Sequence, residues 1–343
     1  MASVALAGCV SDDAVVADAT QEEKQMITFT SPVVGGVTRG ANVKGEMPDV
    51  YDKTETFGVF AVRHTGDFSN WASATLFMNN TEVKYDATLN AWVPEQDVFW
   101  PKDEAVTFAA YSPYGAKDDV TTLTYGGTGL SLSGFQVNAT PTGQYDLMYG
   151  RRTYNKTVSD GGTSYSGVDL HFEHALSSIH FTAKTTDNSS AVTKLKKIRL
   201  WGVYSKGDFT EGIDETYTSY KNVEAWSNHS EPVAETSAYT PFNSAAGLTL
   251  NATAKKLHEN GGSPMILLPQ NLTTDSKLEI TYTINSGGTD IEEVKVFDFH
   301  TSLNKMWQRG NRYTYNIIIG ADKIYFSPEV GAWVDQNINI PGL

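Results

Sequence analysis

Leu6-Ala7-Gly8-Cys9 places the chain's single cysteine close to its start, directly behind small residues. Small residues before a thiol let a processing peptidase hold the backbone extended. The thiol can then carry a diacylglyceryl group, which partitions into a bilayer at roughly 0.8 kcal/mol per buried CH₂. Ser11-Asp12-Asp13 begins a polar tether behind it. An ordinary cysteine in an unstructured leader fits the same residues. Met1-Ala2-Ser3-Val4-Ala5 lacks the basic and apolar regions of an export signal, so the leader is expected to be truncated or wrongly started. Cys9 is the candidate lipidation site, and residues 1–25 are read as leader and tether.

Other residues with chemical potential do not converge. His171-Glu173-His174 is the densest ionisable cluster. On a strand His171 and Glu173 share one face and His174 takes the other, so the three cannot close on one metal without a bulge. Asp118-Asp119 and Glu292-Glu293 are adjacent pairs whose carboxylates point apart if extended, and neither has a second partner in sequence. Gly-x-Ser-x-Gly elbows, phosphate-cradling loops and His-Glu-x-x-His are absent from the sequence. No catalytic residue, metal or cofactor is therefore expected. The seven tryptophans, among them Trp71, Trp92, Trp100, Trp201 and Trp226, fit either core aromatics or a sugar-stacking platform.

Those residues sit in a chain whose pattern is almost wholly β. Val-, Ile-, Thr-, Tyr- and Phe-rich stretches alternate with Gly, Asn and Asp turns, and no long stretch keeps a helical apolar period. Strands are predicted over Thr56–Val62, Ala105–Ala110, Val168–Phe172, Ile179–Ala183, Lys197–Leu200, Leu278–Ile284, Val294–Phe299 and Tyr313–Ile319. In Val168-Asp169-Leu170-His171-Phe172 every second residue is apolar, which predicts one buried and one wet face. Thr121–Gly134 reads as a hairpin turning at Gly126-Gly127. The Gly-, Ser- and Asp-rich stretch 157–167 reads as a loop or boundary. The expected organisation is all-β, with two tandem β-sandwich domains at 26–165 and 166–343.

The net charge is −14, which repels phosphate backbones, and no cationic cluster offsets it, so nucleic acid is not an expected partner. The longest apolar runs, such as Met265-Ile266-Leu267-Leu268, are far short of the roughly 20 residues of a spanning helix. One cysteine forms no internal disulfide, so stability must come from burial.

Short motifs then follow in a fixed order: Ile27-Thr28-Phe29, Thr38-Arg39-Gly40, Phe57-Gly58-Val59-Phe60-Ala61, Met78-Asn79-Asn80, Trp100-Pro101 and Phe108-Ala109-Ala110-Tyr111-Ser112-Pro113. Tyr145-Asp146-Leu147-Met148, Phe172-Glu173-His174-Ala175-Leu176-Ser177, Leu268-Pro269-Gln270 and Trp307-x-x-Gly310-x-x-Tyr313-x-Tyr315-x-Ile317 continue the series to a closing Ile324–Trp333 segment. Together they resemble the fimbrillins, lipoprotein precursors of type V pili in Bacteroidetes, over nearly the whole chain.

The resemblance implies transthyretin-like sandwiches and a structural or adhesive subunit of cell-surface fimbriae rather than an enzyme. It implies export as an outer-membrane lipoprotein and cleavage by an arginine-specific protease, here between Arg39 and Gly40, with Met26–Thr30 as the strand released. The vacated groove would accept a neighbouring subunit's C-terminal strand by β-augmentation. In this sequence Ile338 and Ile340 carry the period-two apolar pattern of such a donor. Arg63 competes for cleavage but lies in a strand-like run. Other fimbrillin subunits are the implied partners. A host protein or glycan receptor stays open, as does the alternative of a monomeric glycan-binding lipoprotein or tip adhesin.

Overall fold

A computed structural model describes residues 25–34, 51–66, 73–126, 129–154, 167–186, 191–211, 226–301, 305–320 and 324–332. The described chain is all-β and layered as β-sandwiches, as the sequence pattern predicts. Cys9, Arg39, Gly40, Ile338 and Ile340 lie outside the described residues.

A seven-stranded sheet runs in the order Val33–Val34, His171–His174, Met148–Tyr154, Ala105–Ser112, Phe57–His64, Thr75–Asp86, Ala91–Pro94. Its central strands are buried on both faces: every residue of Ala105–Ser112 is buried, as is Phe57 through Val62. That explains why these stretches read as continuous apolar runs rather than alternations. Phe57, Val59, Ala61, Val106, Phe108 and Ala110 face one core. Phe60 and Tyr111 belong to the other. Gly58 in the Phe57–Ala61 motif has a packing reason, since a Cβ there would lie 2.3 Å from the Tyr111 ring.

Three four- or five-stranded sheets enclose the larger core. One pairs Ser177–Thr185 with Asn311–Ile319, flanked by Lys255–Lys256, Met265–Leu267 and Ile324–Ala332. A second runs Tyr239–Thr249, Val192–Trp201, Lys277–Ser286, Thr289–Asp298. The third runs Trp226–Pro232, Tyr204–Thr210, Gly129–Gln136, Thr122–Gly126. The hairpin predicted at Thr121–Gly134 is present, with Gly126 opposite Gly129.

Local sequence sets these strands in detail. In Asn311–Ile319 the buried residues are Tyr313, Tyr315, Ile317 and Ile319, strict period two. In Val192–Trp201 the buried apolar positions skip from Leu195 to Ile198. The register shifts between Leu195 and Lys197 on both sides, so a bulge absorbs the extra residue and returns Ile198 to the core. The strand predicted at Val294–Phe299 begins earlier, at Thr289, and ends at Asp298 in a 3-10 turn.

Strand pairing crosses residue 165 among the described residues. His171–His174 joins the sheet built mainly from earlier strands, and Tyr204–Thr210 pairs with Gly129–Gln136.

Candidate functional site

The first described segment, 25–34, forms part of a core wall. Ile27 is 0% exposed and Phe29 1%, while Met26, Thr28 and Thr30 are half-buried, so the alternation of Ile27-Thr28-Phe29-Thr30 puts its apolar side chains inward. The backbone is bonded along both edges. On one side it runs antiparallel to residues 92–100: Ile27 N–H donates to the Val98 carbonyl at 2.7 Å, and Trp100 N–H donates to the Gln25 carbonyl at 3.0 Å. Met26 and Phe99 form an antiparallel bridge between those contacts, and Phe29 bridges Trp92 beyond them. On the other side it runs parallel to residue 168: Val168 N–H donates to the Thr28 carbonyl at 2.8 Å, and Thr30 N–H to the Val168 carbonyl at 2.9 Å. Thr30 Oγ1 adds a hydrogen bond to the same carbonyl. Beyond it, Val33–Val34 pairs in parallel with His171–Phe172.

The side chains fit an aromatic floor. The Phe29 ring meets Phe57 edge-on at 5.6 Å and Phe108 at 5.5 Å. Tyr51 closes the pocket, edge-on to Trp92 at 5.0 Å and stacked on Phe172 at 5.8 Å. Its hydroxyl donates to the Thr56 carbonyl and lies 2.7 Å from Ser112 Oγ. Burial raises the Tyr51 phenol above the usual tyrosine range, so the pocket holds a neutral hydroxyl at any physiological pH.

Gly167 and Val168 form a wall of the groove that the sequence does not announce, although its alternation places Val168 on a buried strand face. Gly167 has φ +114, and a Cβ there would lie 3.1 Å from Thr30 N and 3.2 Å from the Phe29 carbonyl carbon. Only glycine combines that backbone with that approach. Val168, its neighbour, bonds Thr28 and Thr30 along one edge of the segment, and His171–Phe172 pair with Val33–Val34 beyond it. The signal was available in the glycine that ends 157–167 directly before the alternating Val168–Phe172. That alternation is observed: Val168, Leu170 and Phe172 are 0% exposed, although the regular strand is confined to His171–His174.

The remaining candidates separate as their spacing predicts. His171 is exposed beside Asp169, whereas His174 is buried with Nδ1 2.6 Å from Asp146 Oδ2. Among the described residues no group of three His, Asp or Glu could hold a metal. Trp92, Trp100, Trp226 and Trp307 are buried, with Trp226 donating to the Ala175 carbonyl and Trp307 to the Tyr315 hydroxyl. Those four are core aromatics and leave no stacking face. Arg63 sits within Phe57–His64, paired to strands on both sides and 3.3 Å from Glu104. An arginine inside a ladder is a poor protease substrate, because cleavage needs the backbone extracted.

The late motifs meet around the His174 strand. Ala175 N–H donates to the Leu147 carbonyl, and Gly310 N–H to the Leu176 carbonyl. Ser177 donates to the Gln308 carbonyl, while Gln270 bonds both polar backbone groups of Tyr204.

A profile of proteins described as fimbrillin-like matches residues 41–333. The chain belongs to the fimbrillin-like family. Its fold is similar to that of a fimbrial protein from Bacteroides vulgatus, at 15% identity and TM-score 0.53, covering 90% of this chain and 100% of that one. A proposed cell adhesion protein from Bacteroides uniformis is similar at 17% identity and TM-score 0.53, covering 91% and 99%. No curated protein matches. The fimbrillin-like match begins just after Gly40, so the first segment lies outside it while the groove's other walls, Phe57, residues 92–100, Phe108 and Val168, lie within it.

Proposed function

We propose that this chain is a structural subunit of a cell-surface fimbria, assembled by removal of its own first strand and insertion of a neighbour's last one. The observation that carries the reading is the first segment itself, whose buried Ile27 and Phe29 complete a core while its backbone, among the described residues, pairs with residues 92–100, 168 and 171–172. Excision of that segment would leave an aromatic floor of Phe57 and Phe108 and two rows of unpaired backbone groups, a state that drives association with any strand of matching period.

Residues 26–165 and 166–343 serve in this reading as two sandwich units, with Val168–Phe172 as the strip through which the second borders the groove. Cleavage falls between Arg39 and Gly40, flanked by Gly35-Gly36. An arginine-specific protease is therefore a transient partner. Cys9 anchors the precursor to the outer membrane before that step, and the mature subunit leaves with the fibre. Ile338 and Ile340 of the next subunit take the places of Ile27 and Phe29, having the same spacing of two residues. The role is structural and uses no cofactor.

The test is paired. Ile338→Asp/Ile340→Asp is made in the precursor, its melting is measured, and the protein is imaged by electron microscopy after treatment with an arginine-specific protease. A carboxylate entering an apolar groove costs more than the lost methyl contacts. Normal melting followed by no fibres supports the reading. Normal fibres from the variant would exclude these two residues as the donor.

A further inference from the structure

The strand Thr289–Asp298 forms the open edge of the sheet Tyr239–Thr249, Val192–Trp201, Lys277–Ser286, Thr289–Asp298. It is ten residues long, and among the described residues it pairs with Lys277–Ser286 alone. Eight of its residues are exposed, including Ile291 at 56%, Val294 at 51% and Val296 at 55%. Ile291 and Phe297 stand opposite Ile284 and Leu278, and Leu278, Ile280 and Tyr282 belong to the core on that side of the sheet. The apolar layer therefore runs out at this edge with Ile291 uncovered, while Phe297 is half-buried against the core.

We propose that this edge pairs antiparallel with the same edge of a second copy, with Val294 on the two-fold axis. The hydrogen-bonding pattern allows it. The hairpin turns through Gly287 and Gly288, at φ +72 and +94, and Ser286 faces Thr289. In a two-residue hairpin that flanking pair exchanges its own hydrogen bonds, so 289, 291, 293, 295 and 297 bond inward. Residues 290, 292, 294, 296 and 298 turn their N–H and C=O groups outward. The register with Lys277–Ser286 is unbroken, so the outward row is straight.

The order of charges selects the partner. Charged residues on a free edge normally oppose pairing. Here Glu293 and Lys295 flank Val294 with opposite signs. About an axis through Val294, each Glu293, which also holds Lys295 of its own strand at 2.8 Å, faces one Lys295 of the second copy, two such pairs in all, while each Ile291 faces Phe297 and each Glu292 faces Val296, at the roughly 4.5–5.5 Å of cross-strand neighbours. Moving the axis to Glu292 sets that carboxylate against itself. Moving it to Val296 places Lys295 opposite Phe297 and Val294 opposite Asp298. At the ends Asp290 meets Asp298, but Asp290 already accepts from Asn285 and Asp298 from Lys277. The product is one continuous sheet through two copies, an isologous contact that closes at the dimer. It uses a different sheet from the groove and is independent of strand exchange.

The uncleaved full-length chain, in reducing buffer, tests this by sedimentation velocity across concentration, where strand exchange cannot contribute. The wild type is expected to show a monomer–dimer equilibrium. Glu293→Lys and Lys295→Glu each turn two attractive pairs into repulsive ones and are expected to weaken the dimer at least about tenfold. The double variant E293K/K295E restores it, and Val294→Lys, which sets two ammonium groups on the axis, abolishes it. Unchanged melting shows that the exposed variants fold. A monomer at every concentration, single variants that dimerise like wild type, no rescue by the double variant, or species growing beyond the dimer would each overturn the proposal.

Discussion

Phe29 and Trp92 exchange both backbone hydrogen bonds, Phe29 N–H donating to the Trp92 carbonyl at 2.8 Å and Trp92 N–H to the Phe29 carbonyl at 3.1 Å. The reciprocal pair makes the first segment a working strand, though it lies in no long ladder. It also defines what would be lost on excision: one reciprocal pair, the flanking bonds to Val98, Trp100 and Val168, and two side chains worth roughly 1.5–3 kcal/mol each in burial.

Phe29→Ala is expected to destabilise the uncleaved chain by about 3–5 kcal/mol, as for other buried phenylalanines. Chemical denaturation measures this. Once the segment is removed the same substitution should have no effect, so cleaved wild type and cleaved variant should form fibres alike. A defect that persists after cleavage would mean that residue 29 stays in the mature subunit.

Sequence pattern made most of the strands legible because their alternation is local: Asn311–Ile319 and the hairpin around Gly126 follow from period two and turn chemistry alone. The skip from Leu195 to Ile198 was opaque, because a bulge is set by two neighbouring strands. The groove was half legible. The resemblance alone marked Met26–Thr30 as a strand, and its partners lie far away in sequence: Val168 pairs with Phe29 across more than a hundred residues, and no local pattern encodes that choice. The boundary near position 165 is read from the Gly-, Ser- and Asp-rich composition of 157–167. Hydrogen bonds ignore composition, and Val168 and His171–His174 turn back to the earlier strands.

Cys9→Ser, expressed behind an export-competent leader, is expected to melt like wild type and to lose detergent-phase partitioning before cleavage. Equal partitioning of variant and wild type would contradict lipidation at Cys9.

Acid should loosen the third sheet. Asp208 accepts from Asn228 Nδ2 at 2.7 Å and from Gly134 N–H at 2.7 Å, and these bonds, with Lys206 nearby, hold its carboxyl below the usual range. Asp52 and Asp86 are lowered in the same way, by Thr54 and by the Leu89 and Thr88 amides. A carboxyl lowered on folding contributes stability above its unfolded value, near 3.9, and that contribution is lost as pH falls through the folded value. Melting temperature should therefore fall below about pH 4, and Asp208→Asn should flatten part of the drop. Parallel profiles for the two proteins would show that Asp208 carries none of it.

The N-terminal sequence of the subunit recovered from surface fibres tests strand removal most directly. Mass spectrometry of detached, washed fibres should find chains that begin at Gly40 and contain no peptide from residues 25–34. Fibres whose subunits retain Ile27 and Phe29, or still carry a lipidated Cys9, would contradict assembly through the vacated groove.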